Sequence, residues 1–350
     1  MLHAPAMIFS LIMGVVLGAT GSYSLGLPGR PATPYGSPAD HADVQKAFKV
    51  DGSAIGATFG PHGTLAVATA SGNVTLLNLY DENKRMELGS TGSGPVTRAV
   101  FSPRGTTLAV GSVDGTVRIW PNALESPEAP KASLPMQENG DYAGAVNDLA
   151  YSPNGRILAV ASSTSLVRIW DVSNPSKPRP LASSNEQHLV TRLAFNASGN
   201  ILAVGSTDST VQLWDVSNPR HPRDFYGEIK ALTGVTALAF SSDKKTLAVG
   251  SSNGSVQLWN ISSPENPVKI ADAKAVGYTN DLAFNGQGYI LAASNTDGTV
   301  RLWEDLDDLM DPRVLTRRTH QGELSSVTFD NTENTLAVTG TDGSVQLWTA

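Results

Sequence analysis

The chain of 350 residues contains no cysteine, which excludes disulfides, thiolate nucleophiles and thiolate metal sites but assigns no compartment. Charge is also scarce: Asp, Glu, Lys and Arg make up 16% of the residues, and acids outnumber bases to give −7. That balance argues against a general nucleic-acid binder, which needs a Lys/Arg excess to neutralise phosphates. Long stretches of helix-period patterning are missing. So are the H-E-x-x-H zinc motif, a phosphate-cradling loop and a nucleophile elbow. The six histidines are scattered, and His41, in the Pro/Gly-rich segment, lies close to Asp40 and Asp43. One acidic cluster, residues 304–311 (E-D-L-D-D-L-M-D), lacks the glycine that a calcium loop needs and reads as a solvated loop or short helical turn. No cofactor or metal site is expected. What the chain has in quantity is glycine (33) and proline (21), the composition of an all-β chain rich in turns.

No charged residue occurs from Ala4 to Gly29, and the most apolar part is 6–19. A run of that length suits the hydrophobic region of a signal peptide, whereas a full span wants about 18 or more apolar residues. Counting the uncharged flanks makes it long enough to span. Residues 1–24 are therefore expected to be a leader, either signal peptide or membrane anchor. The alternative is a buried element of the folded domain, and the Pro/Gly-rich segment that follows weighs against it. Residues 25–43 carry Pro, Gly and Ser without apolar periodicity and read as a disordered linker. The expected location is the cell envelope, anchored or secreted, with the cytoplasm as the alternative.

From residue 44 onward one phrase recurs. In 191–214 a short apolar segment ends in an aromatic at Phe195, and a turn at Ser198-Gly199 follows. Ile-Leu-Ala-Val comes next, then a turn at Asp208, then Val-Gln-Leu-Trp. Short Val/Ile/Leu/Phe/Trp runs between small polar turns predict consecutive antiparallel strands. Equivalents of Trp214 stand at Leu77, Trp120, Trp170, Trp259, Trp303 and Trp348. Their spacings are 43, 50, 44, 45, 44 and 45, the period of four-stranded propeller blades. The longest insert, 121–143, accounts for the spacing of 50 and reads as a surface loop.

The phrases F-S-P-x-G, L-A-V-G-S, x-D-G-T-V and L-W-D, repeated in register over about seven eighths of the chain, resemble the WD-repeat family. The variant D-V-S-N-P at 171–175 and 215–219 is similar to the style of bacterial, especially actinobacterial, members. The resemblance implies an all-β fold, a seven-bladed β-propeller of four-stranded antiparallel blades over 44–350. Because the chain stops after the third strand of its last repeat, 44–50 (V-Q-K-A-F-K-V) is expected to supply the missing outer strand and close the ring.

The resemblance also implies a hydrogen-bond network linking a third-strand Trp, a second-strand Ser/Thr, a turn Asp and a His before the first strand. The Asp matches at Asp114, Asp208, Asp297 and Asp342, with Asn253 in the fifth repeat, while the His matches the family spacing only at His320. No repeat carries an obviously complete network, so stability is expected to rest on packing and on the Asp turns.

The functional surface implied by the resemblance is the rim of the central channel. Three residues before the first-strand aromatic, the repeats present Gly56, Arg98, Asp148, Arg192, Ala237, Asp281 and Ser326. Charges are unusual in these repeat cores, and two readings of them stand equally. One is docking of a polar protein or peptide by Arg98, Asp148, Arg192, Asp281 and Ser326. The other is pairing between neighbouring blades that stabilises the ring. The expected function is a non-enzymatic, membrane-targeted, monomeric scaffold for an unidentified protein or peptide partner, with no nucleic acid bound. Alternatives are a propeller hydrolase with a channel-bound metal, or the sensor portion of a larger signalling protein.

Overall fold

The computed structural model describes residues 44–89, 94–136, 144–243, 245–274, 277–304, 306, 313–316, 322–330 and 335–349. The leader and linker, residues 1–43, lie outside the described residues, as do His320 and most of the acidic cluster at 304–311.

Seven four-stranded antiparallel sheets account for the described chain. In six of them the strands follow chain order from inside to outside, as in Val190–Phe195, Ile201–Ser206, Thr210–Asp215 and Arg223–Lys230. The seventh takes its outer strand from the start of the propeller: Val44–Lys49 pairs with Ser344–Thr349. Pairing the first strand with the last covers an edge that would otherwise be a template for aggregation.

Second strands are not amphipathic. Leu65, Ala66 and Val67 are buried, as are Leu202, Ala203 and Val204, because each sheet is covered on both faces by its neighbours. The apolar residues form seven clusters, each drawn from two successive blades. Trp214, for example, packs with Leu193 and Leu202 of its own blade and with Ala159 and Val167 of the preceding one. Trp120, Trp170, Trp303 and Trp348 do the same, and Leu77 takes this place in the first blade. Each such side chain contributes about 1.5–3 kcal/mol on full burial, so the Trp series holds the ring together.

The second turn is built by one side chain. Oδ1 of Asp114 accepts the Thr116 N–H at 3.0 Å and its hydroxyl at 2.6 Å. Asp208 holds Thr210 at 3.1 and 2.7 Å, Asp297 holds Thr299 at 2.9 and 2.6 Å, and Asp342 holds Ser344 at 3.1 and 2.5 Å. Asn253 accepts Ser255 N–H at 3.0 Å in the same way. The next position takes positive φ, which suits Gly115, Gly254, Gly298 and Gly343, yet Ser165 (64°) and Ser209 (75°) occupy it in the third and fourth blades.

Candidate functional site: the channel wall

The channel is walled by the seven first strands, Ala54–Phe59, Val96–Phe101, Val146–Tyr151, Val190–Phe195, Val235–Phe240, Thr279–Phe284 and Leu324–Phe329. Each is bulged at the same place. Val96 faces Ser112 and Arg98 faces Gly111, so Thr97 has no partner residue, and the other six strands repeat the shift. A bulge re-aims the side chains on either side of it.

The extra residue of the bulge reaches the next blade. Asn147 Nδ2 donates to Val190 O at 2.8 Å and Thr191 Oγ1 to Val235 O at 2.7 Å. Thr236 Oγ1 donates to Thr279 O at 2.5 Å and Asn280 Nδ2 to Leu324 O at 2.6 Å. Four successive blades are thus latched by a polar side chain to the first carbonyl of the following inner strand. Sequence reading missed this device, although Thr or Asn immediately before the channel position was a legible signal.

The next residue along is the channel position. Asp148, Asp281 and Ser326 are buried there, and the carboxylates are engaged by the neighbouring blade. Asp148 Oδ2 accepts the Leu193 N–H at 2.8 Å, and its Oδ1 lies 2.8 Å from Arg98 Nε. Asp281 accepts its own neighbour's Leu282 N–H at 3.1 Å on Oδ1, and Val327 N–H of the next blade at 3.4 Å on Oδ2. An innermost strand has a free edge, and these acids satisfy amides that no strand pairs.

The arginines differ from each other. Asp148 beside it holds the Arg98 guanidinium above its ordinary value, with Asp281 adding to the same effect against burial. Arg192 is lowered, first by burial and then by the like charge of Arg98. Its Nη1 donates to Thr191 O at 2.8 Å and its Nη2 to Asn280 O at 3.4 Å across the channel, while Nε is buried without an acceptor. Arginine stays charged at any pH the fold survives, so Arg192 keeps an unspent donor in the wall.

Arg98, Asp281 and Ser326 border a cavity of about 200 Å³ inside the channel, beside Gly56 and Leu238. Arg98 and Arg192 are half-buried, and the structure therefore brings the five candidate residues together with the arginines as the accessible members. On the loops that lead into the fifth and sixth inner strands, Leu232 and Tyr278 are 60% and 50% exposed. The opposite mouth, about 520 Å³, is lined by first-strand aromatics including Phe59, Phe240 and Phe284.

Around five of the six tryptophans the implied network is not formed. The indole N–H groups of Trp120, Trp170, Trp259 and Trp348 find no acceptor, and that of Trp214 donates to Gln212 Oε1 at 3.0 Å. Two blades use a largely buried arginine at the turn. Arg118 Nη2 donates to Asp114 Oδ2 at 2.8 Å and Arg301 Nη2 to Asp297 Oδ2 at 3.3 Å, a phrase D-G-T-V-R that occurs twice in the sequence. His188, two residues off the family spacing, comes within 3.4 Å of Asp208. Loop path, not spacing along the chain, decides which histidine meets the turn. Among the described residues no group of three or more His, Cys, Asp or Glu is placed to hold a metal ion. Nor is any helix among them long and apolar enough to cross a membrane.

The WD domain, G-beta repeat model matches residues 85–121, 136–171, 179–215, 225–260, 272–304 and 312–349, and the chain belongs to that family. The three inner strands of the blade with Leu77 in place of Trp fall outside these six matches. Propellers of this family are generally non-enzymatic scaffolds that bind proteins. No curated protein sequence matches this one. A chain of the "Crystal Structure of Mitotic Checkpoint Complex" superimposes with a TM-score of 0.75 at 17% identity, covering 95% of this chain and 99% of that one. At that identity the likeness is one of fold.

Proposed function

We propose that this protein is a monomeric, non-enzymatic docking platform. A protein or peptide partner would seat on the face where the inner strands begin and meet Arg98 and Arg192 in the channel. The observation that carries this reading is Arg192, half-buried among unlike blades with a guanidinium donor unused. A partner carbonyl or carboxylate would satisfy it, while Leu232 and Tyr278 offer the apolar and aromatic anchors that interfaces favour. Asp148, Asp281 and Ser326, being buried, would shape that contact by holding the arginines and strands in place.

The uncharged run at the start of the chain supports delivery to the cell envelope through residues 1–24, and the D-V-S-N-P style supports a bacterial source. Fractionation of cells expressing a C-terminally tagged chain tests the first point. Full-mass protein in the soluble cytoplasm would refute it. Docking is tested by crosslinking and capture with the wild type and with Leu232→Asp/Tyr278→Ser, two exposed changes that leave the core intact. A partner lost from the double variant supports the reading, and equal recovery by both refutes it.

A further inference from the structure

Between the second and third blades, on the face opposite the Asp turns, lies a cavity of about 430 Å³ whose wall contains two arginines and no carboxylate. Arg104 comes from the first turn of the second blade and Arg156 from that of the third, and both are exposed. Neither has an acidic partner within salt-bridge distance among the described residues, in a chain whose acids outnumber its bases. Asp171, next to Val172, is not part of the wall, and its carboxylate is engaged by the N–H of Ser173 at 3.0 Å.

The remaining polar groups favour an acceptor-rich guest. Asn154 spends its carbonyl oxygen on the Arg156 N–H and on Ser152 Oγ, both at 2.9 Å, which leaves its amide NH₂ for the cavity. Tyr151 forms part of the wall, and its buried hydroxyl has no hydrogen-bond partner.

The repeat does not explain this set. The first-strand aromatic is phenylalanine in six blades and tyrosine only here, at the position equivalent to Phe59, Phe101, Phe195, Phe240, Phe284 and Phe329. Packing needs the ring and not the hydroxyl, and an unpartnered buried hydroxyl is costly. Arginine at these two positions is likewise particular to its blades, although Lys245 is a cation at the position of Arg156 in the fifth blade. The equivalents of Arg104 include His62, Asn154, Ser198 and Gln287, and those of Arg156 include Thr106, Asn200 and Tyr289.

We infer that this cleft is a binding site for a phosphomonoester dianion, gripped by Arg104 and Arg156 with Asn154 and Tyr151 as further donors. Two guanidinium groups and neutral donors match three phosphate oxygens better than the two of a carboxylate. The volume exceeds that of a phosphate and leaves room for the group that bears it. The site shares Ser102 and Arg104 with the far mouth of the channel, and it does not depend on the docking proposed on the other face.

The test is calorimetric titration of the full-length chain with two probes, methyl phosphate and an end-blocked Ala-phosphoserine-Ala tripeptide, with the unphosphorylated tripeptide as control. Tighter binding of the tripeptide identifies a phosphorylated side chain as the source, and equal or tighter binding of methyl phosphate identifies a small phosphomonoester. Either supports the site. Arg104→Ala and Arg156→Ala are each expected to weaken binding about tenfold or more, since each removes a charge-assisted contact. Tyr151→Phe should weaken it about threefold while leaving the unliganded protein at least as stable as wild type. No binding of either phosphorylated probe at millimolar concentration overturns the proposal, as does affinity unchanged in Arg104→Ala/Arg156→Ala. Unchanged affinity in Tyr151→Phe overturns the role given to that hydroxyl.

Discussion

Replacing Asp148 by alanine is the sharpest probe of how the channel is held. The carboxylate is 1% exposed, accepts the Leu193 N–H of the fourth blade at 2.8 Å and touches Arg98 of the second at 2.8 Å. One side chain therefore joins three blades. Alanine leaves a buried amide without an acceptor and Arg98 facing Arg192, the like charge that already lowers Arg192, with Asp281 as the remaining acid. Breaking a fully buried pair costs about 3–5 kcal/mol. The Arg98 side chain is 26% exposed and can turn toward water, so about 2–4 kcal/mol is expected here. Asn at 148 retains an oxygen for Leu193 but not the charge, and should lose about 1–2 kcal/mol. Urea denaturation followed by tryptophan fluorescence measures both, and a cycle with Arg98→Met isolates the pair term. A loss below about 0.5 kcal/mol for Asp148→Ala would show that the acid is not a joint between blades, and the reasoning would fail.

Ser165→Gly and Ser209→Gly should each stabilise the propeller by about 0.5–1 kcal/mol, because relief of a left-handed Cβ outweighs the entropy that glycine adds to the unfolded chain; thermal melts check this. Phe48→Ala, in the strand that closes the ring, should cost about 3–5 kcal/mol in a denaturant titration, since its ring is buried between the last and first blades. Deleting 44–49 uncovers Ser344–Thr349 and should give aggregation at a much lower temperature, read by light scattering. Asp171 and Asp215 are held below the ordinary carboxylate value by the Ser173 and Ser217 N–H groups. Their contribution is complete above about pH 4, the unfolded carboxylate value, and is lost as pH falls through the lower folded value. Urea midpoints between pH 2 and 6 should therefore fall less steeply in Asp171→Asn/Asp215→Asn than in wild type.

The blade count, strand order, inter-blade Trp positions and Asp turns are all consequences of local pattern. A period-two run between turns can only be a strand, and a sheet with apolar residues on both faces must be covered on both. That is why Leu-Ala-Val in six of the seven second strands, and Trp in six of the third strands, could be placed from the chain alone. Residues 98, 148, 192 and 281 were legible as misfits, being charges at a position that its sisters fill with Gly, Ala or Ser. Their roles were not, because a channel residue's partner lies in another blade and is chosen by side-chain geometry that the repeat pattern does not specify. Only the stacking of successive blades brings Asp148 to Arg98 on one side and to Leu193 on the other. It also decides that Arg104 and Arg156, 52 positions apart in a chain read as turns, share one cleft without an acid between them. Sequence determined the blade because its interactions are local; tertiary structure decided the sites because each is assembled from neighbouring blades.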